Sequence, residues 1–174
     1  MPSFRRRIAH PLLCDLYDYW LAGRGNGIAM PRASLDPVDI PQLLRFLILS
    51  EVGDDARSIR YRLVGTEIVA AHGMDYTGMT VQELTHGATL AYTYRLYEPV
   101  VTRGLPVYSE GRFRWPDRDF RLTKRLHLPL TRNSRTIDMV LSGQVFEADA
   151  GNVLETLEIA TRDELATDLA RLAA

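Results

Sequence analysis

The chain has 174 residues, of which 46% are hydrophobic and 25% charged, with a formal net charge of −1. That balance belongs to one globular domain, long enough to bury roughly 70% of its unfolded surface, and excludes a disordered or fibrous chain. The near-zero charge argues against a wholesale nucleic-acid binder while permitting a local basic patch.

A single cysteine, Cys14, rules out an intrachain disulfide framework and makes a reducing, cytoplasmic setting the simplest expectation. Arg5, Arg6 and Arg7 imitate the start of a signal peptide, but Asp15 and Asp18 interrupt the apolar run that would have to follow. No stretch approaches the roughly 20 apolar residues needed to span a bilayer.

In chain order, Leu13, Leu16, Tyr17 and Trp20 fall at helical spacing behind Pro11, and Gly23, Gly25 and Gly27 end the helix. The apolar stripe predicts dimerisation through this helix, with packing on the chain's own sheet as the competing use. The glycines of AGRGNG are helix terminators, since no strand precedes them and no Lys-Ser or Lys-Thr follows. Asp36 before Pro37 predicts a second helix through Ile40, Leu43 and Leu44, and FLILSEV then reads as a buried strand turning at Gly53.

Residues 58–84 hold the densest set of signals. Ile59, Tyr61 and Leu63 alternate with Arg60 and Arg62 as a half-buried strand; Thr66 opens a short helix that Gly73 closes; residues 75–78 form a turn; Thr80 and Glu83 have capping-box spacing. A longer helix opens at Thr85 or His86, carries Leu90, Tyr94, Tyr97 and Val101, and closes at Gly104, with a bend expected at Pro99. Three strands follow at 105–115, 120–130 and 136–146. From Thr161 a helix with a second capping box, Glu164, and with Leu165, Leu169 and Leu172 is available to meet a partner.

Chemical motifs are few. His10, His72, His86 and His127 are scattered and offer no metal site, and no Gly-x-Ser-x-Gly turn surrounds any serine, Ser142 included. Asp75 and Glu83 are explained by turn and cap positions, so no catalytic residue is assigned. Strand alternation and helix periodicity instead turn Tyr61, Leu63, His72, Tyr76, Tyr94, Phe113, Leu126 and Met139 toward one interior, where they either line a ligand pocket or fill a closed core. The same alternation sends Arg60, Arg62, Arg112, Arg114, Arg121 and Arg125 to the opposite sheet face. Partly offset by Glu110 and Asp138, that face either forms ordinary surface salt bridges or docks an acidic partner or phosphorylated ligand.

Three segments, the YW within LLCDLYDYW, PRASLDPVDIPQLLRFLILSEV, and YRLVGTEIVAAHGMDYTGMTVQEL with its VGT and D-x-T-G elements, cover about half of the chain and resemble the PAS superfamily. The match is to a bacterial family of small, stand-alone PAS-like proteins. The resemblance implies an α+β fold: a five-stranded antiparallel sheet, short helices and one longer helix on one face, and helices at both termini. Residues 1–35 would hold the N-terminal helix and glycine-rich loop, 36–150 the PAS-like core and 151–174 the C-terminal helix. It also implies a cytoplasmic, non-enzymatic sensory domain that binds a small molecule or a signalling protein.

The cofactor of such a domain is left unknown by the sequence. Flavin photosensors of this type use an asparagine-cysteine-arginine motif before the third strand, whereas Cys14 lies in the N-terminal helix; haem-binding relatives use an axial histidine on the long helix, whereas His86 stands at its start. Both are disfavoured. Arg121 and Arg125 echo the Arg-x-x-x-Arg of cyclic dinucleotide receptors, without the accompanying strand signature. Two other readings stay open: a dimerisation or scaffold module with a filled core, and a small α+β cone enzyme. A cavity would favour the sensor over the scaffold, and a buried charged pair within it would favour the enzyme.

Overall fold

The period-two runs of the sequence become seven strands of a single sheet: β1 (Met30–Pro31), β2 (Leu47–Val52), β3 (Ile59–Val64), β4 (Val107–Trp115), β5 (Arg118–Thr131), β6 (Met139–Ala148) and β7 (Thr156–Ile159). The structure, a computed structural model, describes residues 2–53, 55–115, 118–148 and 154–174, and their side chains except at 113–115 and 118–121. The strand order is β3-β2-β6-β5-β4-β7, antiparallel throughout, with β1 paired in parallel to β5. The five expected strands run side by side from the β3 edge to β4. The two additions are short, and neither a two-residue bridge nor four residues of TLEI carries enough pattern to be read beforehand.

Helices cover both faces. On one lie α1 (Pro11–Arg24) and α5 (Arg162–Leu172); on the other lie α2 (Thr66–His72), α3 (Val81–Leu84) and the long α4 (Gly87–Arg103). The sheet therefore separates two apolar clusters. Leu13, Leu16, Tyr17 and Trp20 pack with Leu126, Leu128, Leu130 and Leu141 on the α1 side. Ile48, Ile59, Tyr61, Leu96, Tyr97, Val107 and Val140 pack together on the α4 side.

This two-sided burial corrects several expectations. The α1 stripe is spent within the chain: each of its four residues is at most 1% exposed, and the Trp20 indole donates to the Pro129 carbonyl at 2.8 Å. The argument for a dimer through that stripe is thereby removed. Nor is α5 left free, because Leu165 is buried and Asp168 accepts from the Tyr17 hydroxyl at 3.0 Å and the Arg5 amide at 3.1 Å.

The arginines do not share a face. Leu126 and Leu128 point to α1 whereas Tyr61 points to α4, so the alternation has the right period and the wrong parity between strands. Arg125 consequently lies on the Tyr61 side. Arg60, donating to the Gly78 carbonyl at 2.6 Å, and Arg62, 3.5 Å from Glu51, are exposed at the β3 edge. Arg112 is exposed, and the side chains of Arg114 and Arg121 lie outside those described.

Two local expectations also shift. The stretch after Asp36 is a series of turns ending in a 3-10 turn at Leu44–Phe46, with the Asp36 carboxylate accepting from the Val38 amide at 2.9 Å. Pro37 and Pro41 bracket only three residues, and a residue before proline is steered away from helical backbone. Gly65, not Thr66, is the cap residue of α2. Helix α4 is assigned continuously through Pro99. Both capping boxes form as expected, Thr80 with Glu83 and Thr161 with Glu164.

Candidate ligand site

The site grows from the VGT and D-x-T-G elements. Gly65 is required by a close approach: a Cβ there would sit 2.4 Å from the Arg45 carbonyl oxygen. This contact seats α2 against the turn before β2. Gly73 then ends α2 with φ 80°, which glycine adopts at little cost. In the following turn the Asp75 carboxylate accepts from the Thr77 amide at 2.9 Å, and Gly78 takes φ 90° and donates to the Tyr61 carbonyl at 2.7 Å. The turn is thus stitched to β3. Its consequence is the placement of Tyr76, whose ring meets Tyr61 edge-on at 4.8 Å and His72 at 5.1 Å.

From the opposite side α4 supplies Tyr92, Leu96 and Tyr97, and the sheet supplies Ile48, Arg125, His127 and Gln144. Together with Tyr61, His72 and Tyr76 they line a cavity of about 390 Å³ between the sheet and α4, bordered by Arg112 and Glu155. That volume falls within the usual range of small-molecule sites.

Deep in the cavity the polar groups are tied down. The Tyr97 hydroxyl lies 2.9 Å from Ser50 Oγ, and His127 Nδ1 lies 2.7 Å from Ser142 Oγ. Burial lowers the pKa of His127 to about 3 and that of His72 to about 4, in each case with Arg125 adding to the effect, so both imidazoles are neutral at pH 7. The phenols of Tyr61, Tyr76 and Tyr97 are pushed up by the same desolvation and stay protonated.

Arg125 is different. It projects from β5, with Ser109 of β4 and Gln144 of β6 as its register partners. Its guanidinium makes no hydrogen bond and no ion pair within 4.0 Å among the described residues. Burial pushes its pKa down, opposed by Tyr92, Tyr76, Glu155 and Tyr61, but a guanidinium remains charged in a protein. Among the described residues, the Tyr92 hydroxyl and His127 Nε2 of the lining, with Ser109 Oγ and Thr123 Oγ1 at neighbouring strand positions, are buried without a partner. A positive charge and two residues with unused polar atoms, Tyr92 and His127, therefore border one cavity.

Of the eight residues that the sequence directs to a pocket, the structure brings together Tyr61, His72 and Tyr76 in the lining. Leu63 is 48% exposed, because a bulge opposite Leu49 and Ser50 pairs it with Leu49 and switches its face relative to Tyr61. Leu126 and Met139 lie on the α1 side. Tyr94 is half-buried beneath the Arg57 guanidinium, 5.7 Å from its ring centroid, because α4 aims Tyr92, Leu96 and Tyr97 inward. The side chain of Phe113 is outside those described. Sequence reasoning missed Tyr92, His127 and Gln144, and it placed Arg125, its candidate for binding an acidic partner or phosphorylated ligand, on the opposite face. For Arg125 and His127 the signal was present in β5, where Thr123, Arg125 and His127 alternate with Leu122, Leu126 and Leu128 in a strand covered on both faces.

His86 is the exposed cap residue of α4, and Cys14 sits in α1 across the sheet from the cavity. Among the described residues no cluster of three or more His, Cys, Asp or Glu is placed to hold a metal, and no helix is long and apolar enough to cross a membrane. Compared with known protein families, residues 8–143 match the profile described as a PAS domain. A search among curated proteins finds no match.

Proposed function

The chain belongs to the PAS-domain family, a family of sensory and signalling modules, and on that premise we propose that it is a sensor whose signal is a small molecule held between the sheet and α4. The observation that carries this reading is the cavity of about 390 Å³ with Arg125 inside it, lacking a partner among the described residues. A filled core would be expected of a pure scaffold. The enzyme alternative draws less support: Ser142 and His127 have a nucleophile–base spacing of 2.7 Å, yet Ser142 is 1% exposed and is not among the lining residues. An imidazole with a pKa of about 3 is also a poor general base near neutrality.

Binding would be transmitted through α4. Tyr92, Leu96 and Tyr97 touch the cavity from that helix, while Arg162 of α5 donates to the carbonyl of Arg103 at the helix's last residue, 3.0 Å away. A ligand that fixes the tyrosines would bias the position of α4, and the far end of the helix would carry the change to a signalling partner.

The test is mass spectrometry of small molecules released from purified protein, run in parallel on a Thr93→Trp variant, since Thr93 lines the cavity from α4. The wild type should release a small molecule in near-stoichiometric amount and the folded variant should not. No released molecule, or equal release from both, would count against the reading.

A further inference from the structure

We infer that the cavity is a carboxylate site, selective for a small organic acid whose carboxylate pairs with Arg125 and whose apolar or aromatic body lies among Tyr61, Tyr76 and Leu96. The inference deepens the ligand-binding reading above and rests on it. Three observations carry it beyond a generic pocket.

The first is charge. Arg125 lines the cavity, makes no hydrogen bond, and has no carboxylate within 4.0 Å among the described residues, Glu155 acting on it only from farther away. Among the described residues the other charged ones lining it are Arg112 and Glu155, both exposed, and the two histidines are neutral. Arg125 is thus the least exposed charge of the described lining, and the one carboxylate of that lining, Glu155, is exposed and makes no ion pair with it. Burying an unpaired cation is costly, and a ligand carboxylate supplies the missing charge through two parallel hydrogen bonds of the guanidinium fork.

The second is the unused polar atoms. His127 is 5% exposed, lines the cavity beside Arg125 on the same strand, and has Nε2 buried without a partner while Nδ1 is held by Ser142. The Tyr92 hydroxyl is likewise unused. Both belong to residues that line the cavity, and a small rotation of either ring would present its atom to a second polar group of the ligand.

The third is the body of the site. Tyr61 and Tyr76 meet edge-on, and Ile48, Leu84 and Leu96 complete an apolar wall. Such a wall suits a hydrocarbon or an aromatic ring and gives little to a fully hydrated anion such as inorganic phosphate.

The experiment uses matched pairs, phenylacetate with phenylacetamide, indole-3-acetate with its amide, and octanoate with octanamide, titrated into wild type and Arg125→Gln and followed by ligand-observed NMR. In the wild type at least one acid should bind ten-fold or more tightly than its amide, and Arg125→Gln should abolish that preference. Without ligand, Arg125→Gln should melt at or above the wild-type temperature, because it removes an unpaired charge. Amides binding as well as acids, with both lost in Thr93→Trp, would overturn the carboxylate inference and leave the ligand cavity standing. A preference that survives Arg125→Gln, a clear fall in the melting temperature of that variant, or binding of inorganic phosphate in place of the acids would also overturn it. If no probe binds and no small molecule is released from the wild type, both readings fail together.

Discussion

Arg125 and the two cavity histidines show how a residue's meaning depends on which face of a strand it occupies. Written as sequence, Arg125 is one of six arginines in alternating strands, and His127 is one of four scattered histidines. Their chemistry becomes visible only when β5 is seen to be covered on both faces, because burial is what makes a charge without a partner informative. The same burial makes a prediction about acid. His72 and His127 have folded pKa values of about 4 and about 3, below the ordinary 6.5. Below pH 6.5 the unfolded chain therefore binds protons that the folded chain refuses. Stability is complete above the unfolded value and is lost as pH falls through it toward the folded values, by about 2 kcal/mol per histidine between pH 7 and pH 5. Urea titrations at those two pH values should show this loss, and Asn at both positions should flatten it. A wild-type stability unchanged over the range would mean that the imidazoles are solvated.

At the scale of elements, the capped and glycine-terminated pieces were legible and the parity between strands was not. Thr80, Glu83, Thr161, Glu164, Gly73 and Gly104 do locally what their spacing says, because a cap or a left-handed residue is satisfied within one turn of chain. Which face Leu126 shares with Tyr61 depends instead on the bulge near Leu49 and on pairings between strands far apart in sequence. Candidate pocket residues on α2 and the following turn were therefore placed in the lining, whereas Leu63, Leu126 and Met139 were not.

Two glycines test how elements are docked. A Cβ at Gly65 would meet the Arg45 backbone at 2.4 Å, while one at Gly143 would meet the side-chain ends of Leu16 at 2.6 Å and Leu13 at 2.7 Å. Backbone cannot yield as a leucine methyl can. Gly143→Ala should cost about 1–3 kcal/mol as α1 is pushed off the sheet, and Gly65→Ala should cost more. Equilibrium urea unfolding decides the order; equal or reversed costs would mean that the turn before β2 is more compliant than its contacts indicate.

The whole molecule is a sheet closed by packing on one side and opening onto a cavity on the other. The α1 face is closed by Trp20, Tyr17 and the leucines around them, and Asp168 binds the N-terminal segment to α5. The α4 face is left incompletely filled, and among the described residues the Tyr92 hydroxyl and His127 Nε2 are left unpaired there. Well-packed proteins seldom leave such groups unmet without a functional reason. The most direct measurement is a crystal structure of the protein purified without added ligand. The account predicts density for a small organic molecule against Arg125 between Tyr61, Tyr76 and Tyr92. A cavity holding only solvent, with Glu155 drawn within ion-pairing distance of Arg125, would show that the arginine is neutralised by its own chain and would contradict the account.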